Sequence, residues 1–175
     1  WEKKKLKGIE LSGKTLGLIG AGRIAREVAK RAIAFGMKVL SCDPYVKEVQ
    51  DVDLTLTDLD NLLAKSDFIS LHVPLTEETK KIIDETALSK MKDGAIIVNC
   101  GRGGTLDESA CAKALDSGKL AALGLDVFST EPIGGEESFL SRDNVSFTPH
   151  IGASTKEGQA RVGIEVAQVV VDALK

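Results

Sequence analysis

An apolar run from Thr15 to Ile19 passes directly into Gly20-Ala21-Gly22-Arg23-Ile24-Ala25, and a stretch of helical composition follows from about Ile24 to Phe35. This succession of strand, glycine turn and helix constrains the fold more than any other feature of the chain. Gly20 permits a tight bend, Gly22 carries no Cβ to obstruct an approaching pyrophosphate, and Ala25 is small enough for helix and sheet to pack closely. The helix start then offers free N–H groups and the positive end of its dipole to an anion. The expected ligand is a dinucleotide.

The same alternation continues to the end of the chain. Apolar, β-branched-rich runs recur at Lys38 to Cys42, Asp67 to Val73, Ala95 to Cys100, Ala121 to Val127 and Asn144 to Thr148, separated by helix-like stretches. Most are continuous rather than alternating, as in strands buried on both faces of a parallel sheet. The pattern predicts an α/β fold, a Rossmann-type doubly wound parallel sheet of six or more strands, as a single domain over residues 1–175. Terminal signals fit the helices between. Gly36 follows the first, Thr57 with Asp60 and Ser154 with Glu157 have capping-box spacing, and Asp107 can cap a helix from Glu108 to Ser117 that Gly118 ends.

Composition narrows the function classes. At 175 residues, 43% apolar and 28% charged, the chain is ordinary for one globular domain. No apolar run reaches the roughly 18 residues a membrane span requires. A net charge of −3 supplies no general positive field, so neither nucleic acid nor a membrane surface is an expected partner. The basic cluster Lys3, Lys4, Lys5 and Lys7 reads as a solvated segment. Cys42, Cys100 and Cys111 lack metal-ligand spacing, and an odd count argues against a disulfide framework, so no metal and a reducing, cytoplasmic location are expected. The chain starts at Trp1 with nothing resembling a signal peptide, which reads as a piece excised from a longer protein.

Asp43 ends the second run, 23 residues after Gly20. A carboxylate there suits the adenosine ribose hydroxyls and disfavours a 2′-phosphate, so NAD is the expected cofactor. In open α/β sheets the chemistry lies beyond the carboxyl ends of the strands, where three further residues fall. Arg102, within Asn99-Cys100-Gly101-Arg102-Gly103-Gly104, can grip a carboxylate with two parallel hydrogen bonds. His150, after Pro149, is suited to proton transfer near neutral pH, and Glu131 could orient it. Each also has an ordinary structural reading, as a solvated arginine, a loop histidine and a turn glutamate, and spacing alone does not choose.

From Gly13 to about Asp172 the chain resembles the cofactor domain of the D-isomer-specific 2-hydroxyacid dehydrogenases, most closely their phosphoglycerate dehydrogenase branch. The resemblance rests on Gly13-Lys14-Thr15-Leu16-Gly17 with the glycine turn, Asn99 to Gly104, Asp126 to Pro132, and Pro149-His150-Ile151-Gly152-Ala153-Ser154-Thr155, in this order. It implies an NAD-dependent oxidoreductase of a small 2-hydroxy or 2-oxo acid. The favoured substrate is 3-phosphoglycerate, in serine biosynthesis, with glyoxylate or hydroxypyruvate next.

Among the residues, the resemblance implies that Arg102 holds the substrate carboxylate, that His150 is the general acid/base and that Glu131 is its partner. It places Gly20, Gly22, Arg23 and Ile24 at the pyrophosphate and Asp43 at the ribose. Val73, Cys100, Gly101 and Asp126 fall around the nicotinamide half, as do Arg102, His150, Gly152 and Ala153, with His72 and Pro74 beside them. Gly101 departs from the family's common alanine, which implies a looser backbone contact. Family members carry a substrate-binding domain built from flanking segments, expected to be absent from this chain, and usually form homodimers or tetramers. NAD-sensing corepressors share the same domain and remain the reading from another class. Formate dehydrogenases carry glutamine where this chain has Glu131.

Overall fold

The structure is a computed structural model that describes residues 8–134 and 141–175; Trp1 and the basic cluster Lys3, Lys4, Lys5 and Lys7 lie outside the described residues. The strands are β1 (Thr15–Ile19), β2 (Lys38–Cys42), β3 (Thr55–Leu56), β4 (Phe68–Leu71), β5 (Ala95–Asn99), β6 (Leu120–Leu125) and β7 (Val145–Phe147). The helices are α1 (Arg23–Ala34), α2 (Leu59–Lys65), α3 (Glu85–Lys90), α4 (Glu108–Asp116) and α5 (Lys156–Ala173). The strands form one sheet in the order β3-β2-β1-β4-β5-β6-β7, with every neighbouring pair parallel. The chain builds outward from β1 to β3, then crosses to the other side of β1 to lay down β4. The carboxyl ends of β1 and β4 therefore flank the point where the strand order reverses, the place where such sheets leave a crevice for ligands.

Packing explains why these runs became strands. Leu18, Ile69, Leu71 and Ile97 are fully buried, and each contributes roughly 1.5–3 kcal/mol of hydrophobic stabilisation. On one face, Leu16, Leu18 and Val39 pack against Ala25, Ala29 and Ala32, which repeat at helical spacing along α1. These small side chains, flanked by Val28 and Ile33, let α1 pack closely on the sheet. On the opposite face, Ile19, Ile69, Leu71 and Ile97 join Leu62 and Leu63 of α2, Leu88 of α3 and Leu115 of α4. Gly17 admits α2 there, since a Cβ would stand 2.6 Å from Leu62 Cδ2.

Two short elements carry no long apolar run: the two-residue strand β3, which pairs with β2, and the six-residue helix α3. Two cap expectations are corrected. The cap of α2 is Asp58, whose carboxylate accepts from Asn61 N at 2.8 Å, rather than Thr57, which instead accepts a side-chain bond from Asn61. The cap of α5 is Thr155, accepting from Gly158 N at 2.9 Å, rather than Ser154. In both cases the box spacing is displaced by one residue, because the helix begins where the backbone leaves the extended region. Helix α5 buries none of its residues, and among the described residues no helix is long and apolar enough to cross a membrane.

Candidate active site at the carboxyl ends of the strands

The glycine turn is held from three sides. Gly20 has φ +101°, and a Cβ on it would stand 2.7 Å from the carbonyl oxygen of His72, so both conformation and space demand glycine. Its N–H donates to Cys42 O at 2.8 Å. Asp43 accepts from Ala21 N at 2.9 Å through one carboxylate oxygen and from Tyr45 N at 2.9 Å through the other. The residue expected at the ribose thus also ties the glycine turn to the end of β2.

Helix α1 differs from its neighbours at its amino end. Asp58, Asp84, Asp107 and Thr155 each close a helix start with a side-chain hydrogen bond, whereas the α1 cap is Gly22, with no side-chain bond and no acidic residue in the first turn. A Cβ built on Gly22 meets nothing within 4 Å, so the position faces open space. An uncapped helix start facing open space has the donor chemistry an anion requires. It adjoins a groove of about 340 Å³ lined by Gly22, Arg23, Ile24, His72, Val73 and Arg102 among others, within the size range of small-molecule sites. Cys100, Gly101 and Pro74 also line it. His72 bonds Ser70 Oγ through Nε2 at 2.9 Å, and burial lowers its pKa, so it contributes no fixed charge at neutral pH.

Arg102 projects from the loop after β5 and is exposed, its Nη1 donating to Gly101 O at 2.7 Å. The expected loosening at Gly101 is offset locally: Gly101 N donates to Asn99 Oδ1 at 3.0 Å, and a Cβ on Gly101 would stand only 3.1 Å from Leu71 O.

His150 lies across the carboxyl end of β7 with φ +54°, a left-handed conformation that costs a residue other than glycine free energy. Its Nδ1 is 2.7 Å from Glu131 Oε2. A carboxylate only accepts, so Nδ1 carries the proton in that contact and Nε2 is left as the other ring nitrogen. The other oxygen of Glu131 accepts from Phe128 N at 2.9 Å. The His150 contact first, and then this amide, lower the Glu131 pKa, keeping it ionised.

Buried Asp126 accounts for the backbone at His150. Its carboxylate accepts from Thr148 Oγ1 at 2.5 Å, Ile151 N at 2.8 Å and Gly152 N at 2.8 Å, bracketing His150 on both sides. Burial acts to raise the Asp126 pKa, but these three donors outweigh it and hold the carboxyl below its ordinary range. Ala153 is exposed beside Gly152. Sequence reasoning placed Asp126 near a cofactor and had no signal for its bonds to residues 148, 151 and 152, which lie more than twenty positions away. It also assigned no role to Asn99 or Thr105, although both are polar residues in or beside a glycine-rich loop. Among the described residues, no cluster of histidine, cysteine or carboxylate side chains is arranged to hold a metal.

Comparison with known proteins places the chain in a family. Residues 1–152 match the family model described as D-isomer specific 2-hydroxyacid dehydrogenase, NAD binding domain. The chain is 59% identical over 172 residues to a hydroxypyruvate reductase of Thermotoga maritima, an alignment covering 97% of this chain and 56% of that protein. It is 49% identical over 177 residues to a D-3-phosphoglycerate dehydrogenase of Archaeoglobus fulgidus, covering 100% of this chain and 34% of the relative. Among solved structures, a glyoxylate reductase from Paecilomyes thermophila superposes with a TM-score of 0.89 at 41% identity, over 96% of this chain and 51% of its own. A D-lactate dehydrogenase from Aquifex aeolicus, complexed with NAD and lactic acid, superposes with a TM-score of 0.85 at 39% identity, over 97% of this chain and 56% of its own. The chain thus spans about a third to a little over half the length of these proteins, and it belongs to the NAD-binding domain family of the D-isomer-specific 2-hydroxyacid dehydrogenases.

Proposed function

We propose that the protein carrying this chain is an NAD-dependent oxidoreductase of a small 2-hydroxy acid, with Arg102, Glu131 and His150 as its catalytic residues. The observation that carries the reading is the 2.7 Å contact between His150 Nδ1 and Glu131 Oε2 at the same end of the sheet as the glycine turn. With Nδ1 bonded to Glu131, the free Nε2 is the group that takes the substrate hydroxyl proton, and Glu131 stabilises the imidazolium formed. Arg102 receives the substrate carboxylate, fixing which face of the carbinol carbon is presented. Bound NAD would supply the two-electron acceptor.

The pyrophosphate belongs at Gly20, Gly22, Arg23 and Ile24, and the adenosine ribose at Asp43. The nicotinamide half belongs among Val73, Cys100, Gly101, Asp126, Gly152 and Ala153, with Arg102 and His150 at its edge. His150 and Glu131 side chains are 50% and 35% exposed, so the pair is reachable from solvent. The rest of the parent protein supplies the substrate-binding domain, and the parent assembles as a homodimer or tetramer. Cys42, Cys100 and Cys111 are all free in the fold, which supports a cytoplasmic setting.

3-Phosphoglycerate is the proposed substrate. Hydroxypyruvate is the second reading, favoured by the 59% identity to a protein named for that activity. The test is steady-state turnover of the full-length protein with NAD and 3-phosphoglycerate, glycerate or lactate, and with NADH and hydroxypyruvate or glyoxylate. A preference of tenfold or more in kcat/KM for the phosphorylated acid is the expected result. Tight NAD binding without turnover of any 2-hydroxy or 2-oxo acid would refute the catalytic reading.

A further inference from the structure

Arg102 is exposed, yet the backbone beneath it is anchored by buried polar side chains. Asn99, 1% exposed, closes β5, and Thr105, fully buried, follows the glycine-rich loop. Asn99 Nδ2 donates to Arg102 O and to Thr105 Oγ1, both at 3.1 Å. Thr105 Oγ1 donates in turn to Arg102 O at 2.7 Å, and Asn99 Oδ1 accepts from Gly101 N at 3.0 Å. Both amide hydrogens of Asn99, its carbonyl oxygen and the one hydroxyl hydrogen of Thr105 are therefore spent on this loop. The main chain of Asn99 holds the facing loop as well, since Asp126 N donates to Asn99 O at 2.9 Å.

We propose that Asn99 and Thr105 are positioning residues for Arg102, a buried polar clip on its carbonyl that sets where the guanidinium stands above the end of the sheet. The clip touches neither cofactor nor substrate; it acts through the arginine. Arginine needs such support here because the glycines on both sides of it in Gly101-Arg102-Gly103-Gly104 have no side chain to restrict their own backbone angles. A bidentate carboxylate contact is productive only within a narrow range of positions, and a displacement near 1 Å can cost on the order of 100-fold in rate. Neutral amide chemistry is essential at residue 99. Aspartate would present a second acceptor to the carbonyl of Arg102 and lose both donors.

The inference rests on the reading of Arg102 as the substrate clamp, and a mutant cycle separates the two. Thr105→Val preserves shape and removes only the hydroxyl. In the full-length protein it is expected to lower kcat/KM for the preferred 2-hydroxy acid by about 10- to 100-fold. The Kd for NAD should stay within about threefold of wild type, and Thr105→Ser should recover most of the loss. In an Arg102→Ala background, Thr105→Val should add nothing further, because the clip then has no guanidinium to place. Equal losses in both backgrounds, or no loss in wild type, would overturn the clip.

If Arg102→Ala alone leaves kcat/KM unchanged, the clamp reading fails and hydrogen exchange decides the clip. Faster exchange across residues 100–104 in Thr105→Val than in wild type supports it, and an unchanged rate rejects it. Asn99→Asp, followed by the same exchange measurement, provides a second variant should Thr105→Val fold poorly.

Discussion

Gly103 stands against the carbonyl of Phe128 so closely that a Cβ at Gly103 has no room, its site lying within bonding range of the Phe128 backbone. The loop bearing Arg102 and the loop bearing Glu131 are thereby in main-chain contact. Ser129 strengthens the junction, donating through both N and Oγ to Glu108 Oε1 at 2.8 Å. Gly103→Ala is therefore expected to destabilise the chain by about 1–3 kcal/mol through overpacking. It should also depress turnover of the full-length protein, by moving Arg102 and Glu131 together. Thermal melting and steady-state kinetics check this, and an active variant of unchanged stability would contradict the contact.

The carboxylate of Asp43 makes NAD the expected preference over NADP. Two like charges about 4 Å apart at an effective dielectric near 20 repel by roughly 4 kcal/mol, enough for discrimination well beyond tenfold. Asp43→Asn should narrow the ratio of the two dissociation constants in calorimetric titration. Because Asp43 also accepts from Ala21 N and Tyr45 N, some loss of NAD affinity should accompany the change. An unaltered ratio would remove Asp43 from the ribose site.

Arg102→Lys keeps the charge and loses the planar pair of donors. An ammonium fixes neither the distance nor the rotation of a carboxylate as a guanidinium does. The expected outcome in the full-length protein is a fall in kcat/KM of about 100-fold with NAD affinity nearly unchanged. Loss of NAD binding with retained turnover would make Arg102 a cofactor ligand instead.

The cysteines should separate by reactivity. Cys111 is fully buried and its pKa is pushed up to about 12, chiefly by burial and then by the charges of Asp107 and Glu108. Cys100 is exposed in the wall of the groove; partial burial and the Asp126 charge raise its pKa as well. At pH 8 an alkylating reagent should modify Cys100 well before Cys111, and saturating NAD should slow modification of Cys100. Mass spectrometry of peptides reads both, and faster labelling of Cys111 would contradict the fold at α4.

Acid should release the His150 loop. The folded pKa of Asp126 is depressed, so the stability it contributes is fully present above its unfolded value of about 3.9 and is lost as pH falls through the folded value. Asp107 behaves in the same direction, held down by Ala110 N and then Lys81. Melting temperature should therefore decline as pH drops below about 4, and Asp126→Asn should flatten part of that decline. A profile identical to wild type would show that Asp126 does not titrate differently on folding.

The sequence by itself determined the features that depend on neighbours along the chain. Gly20, Gly22 and Ala25 declare a strand-turn-helix because the required spacing is local, and the apolar runs declare parallel strands because burial on both faces favours apolar side chains, with Ser41 and Ser70 buried among them. Asp107 was legible as a cap for the same reason. Tertiary structure decided what depends on distant partners. Two-residue β3 exists only because β2 offers an edge, and Asp58 displaced Thr57 as a cap because the incoming backbone set where α2 begins. Asp126 reaches Ile151 and Gly152 across 25 and 26 residues, and Glu131 meets His150 across 19, a pairing that the family resemblance implied and spacing alone did not. Hydrogen bonds of that kind leave no periodic trace, since a buried carboxylate chooses whichever amides the fold brings to it rather than any at a set spacing.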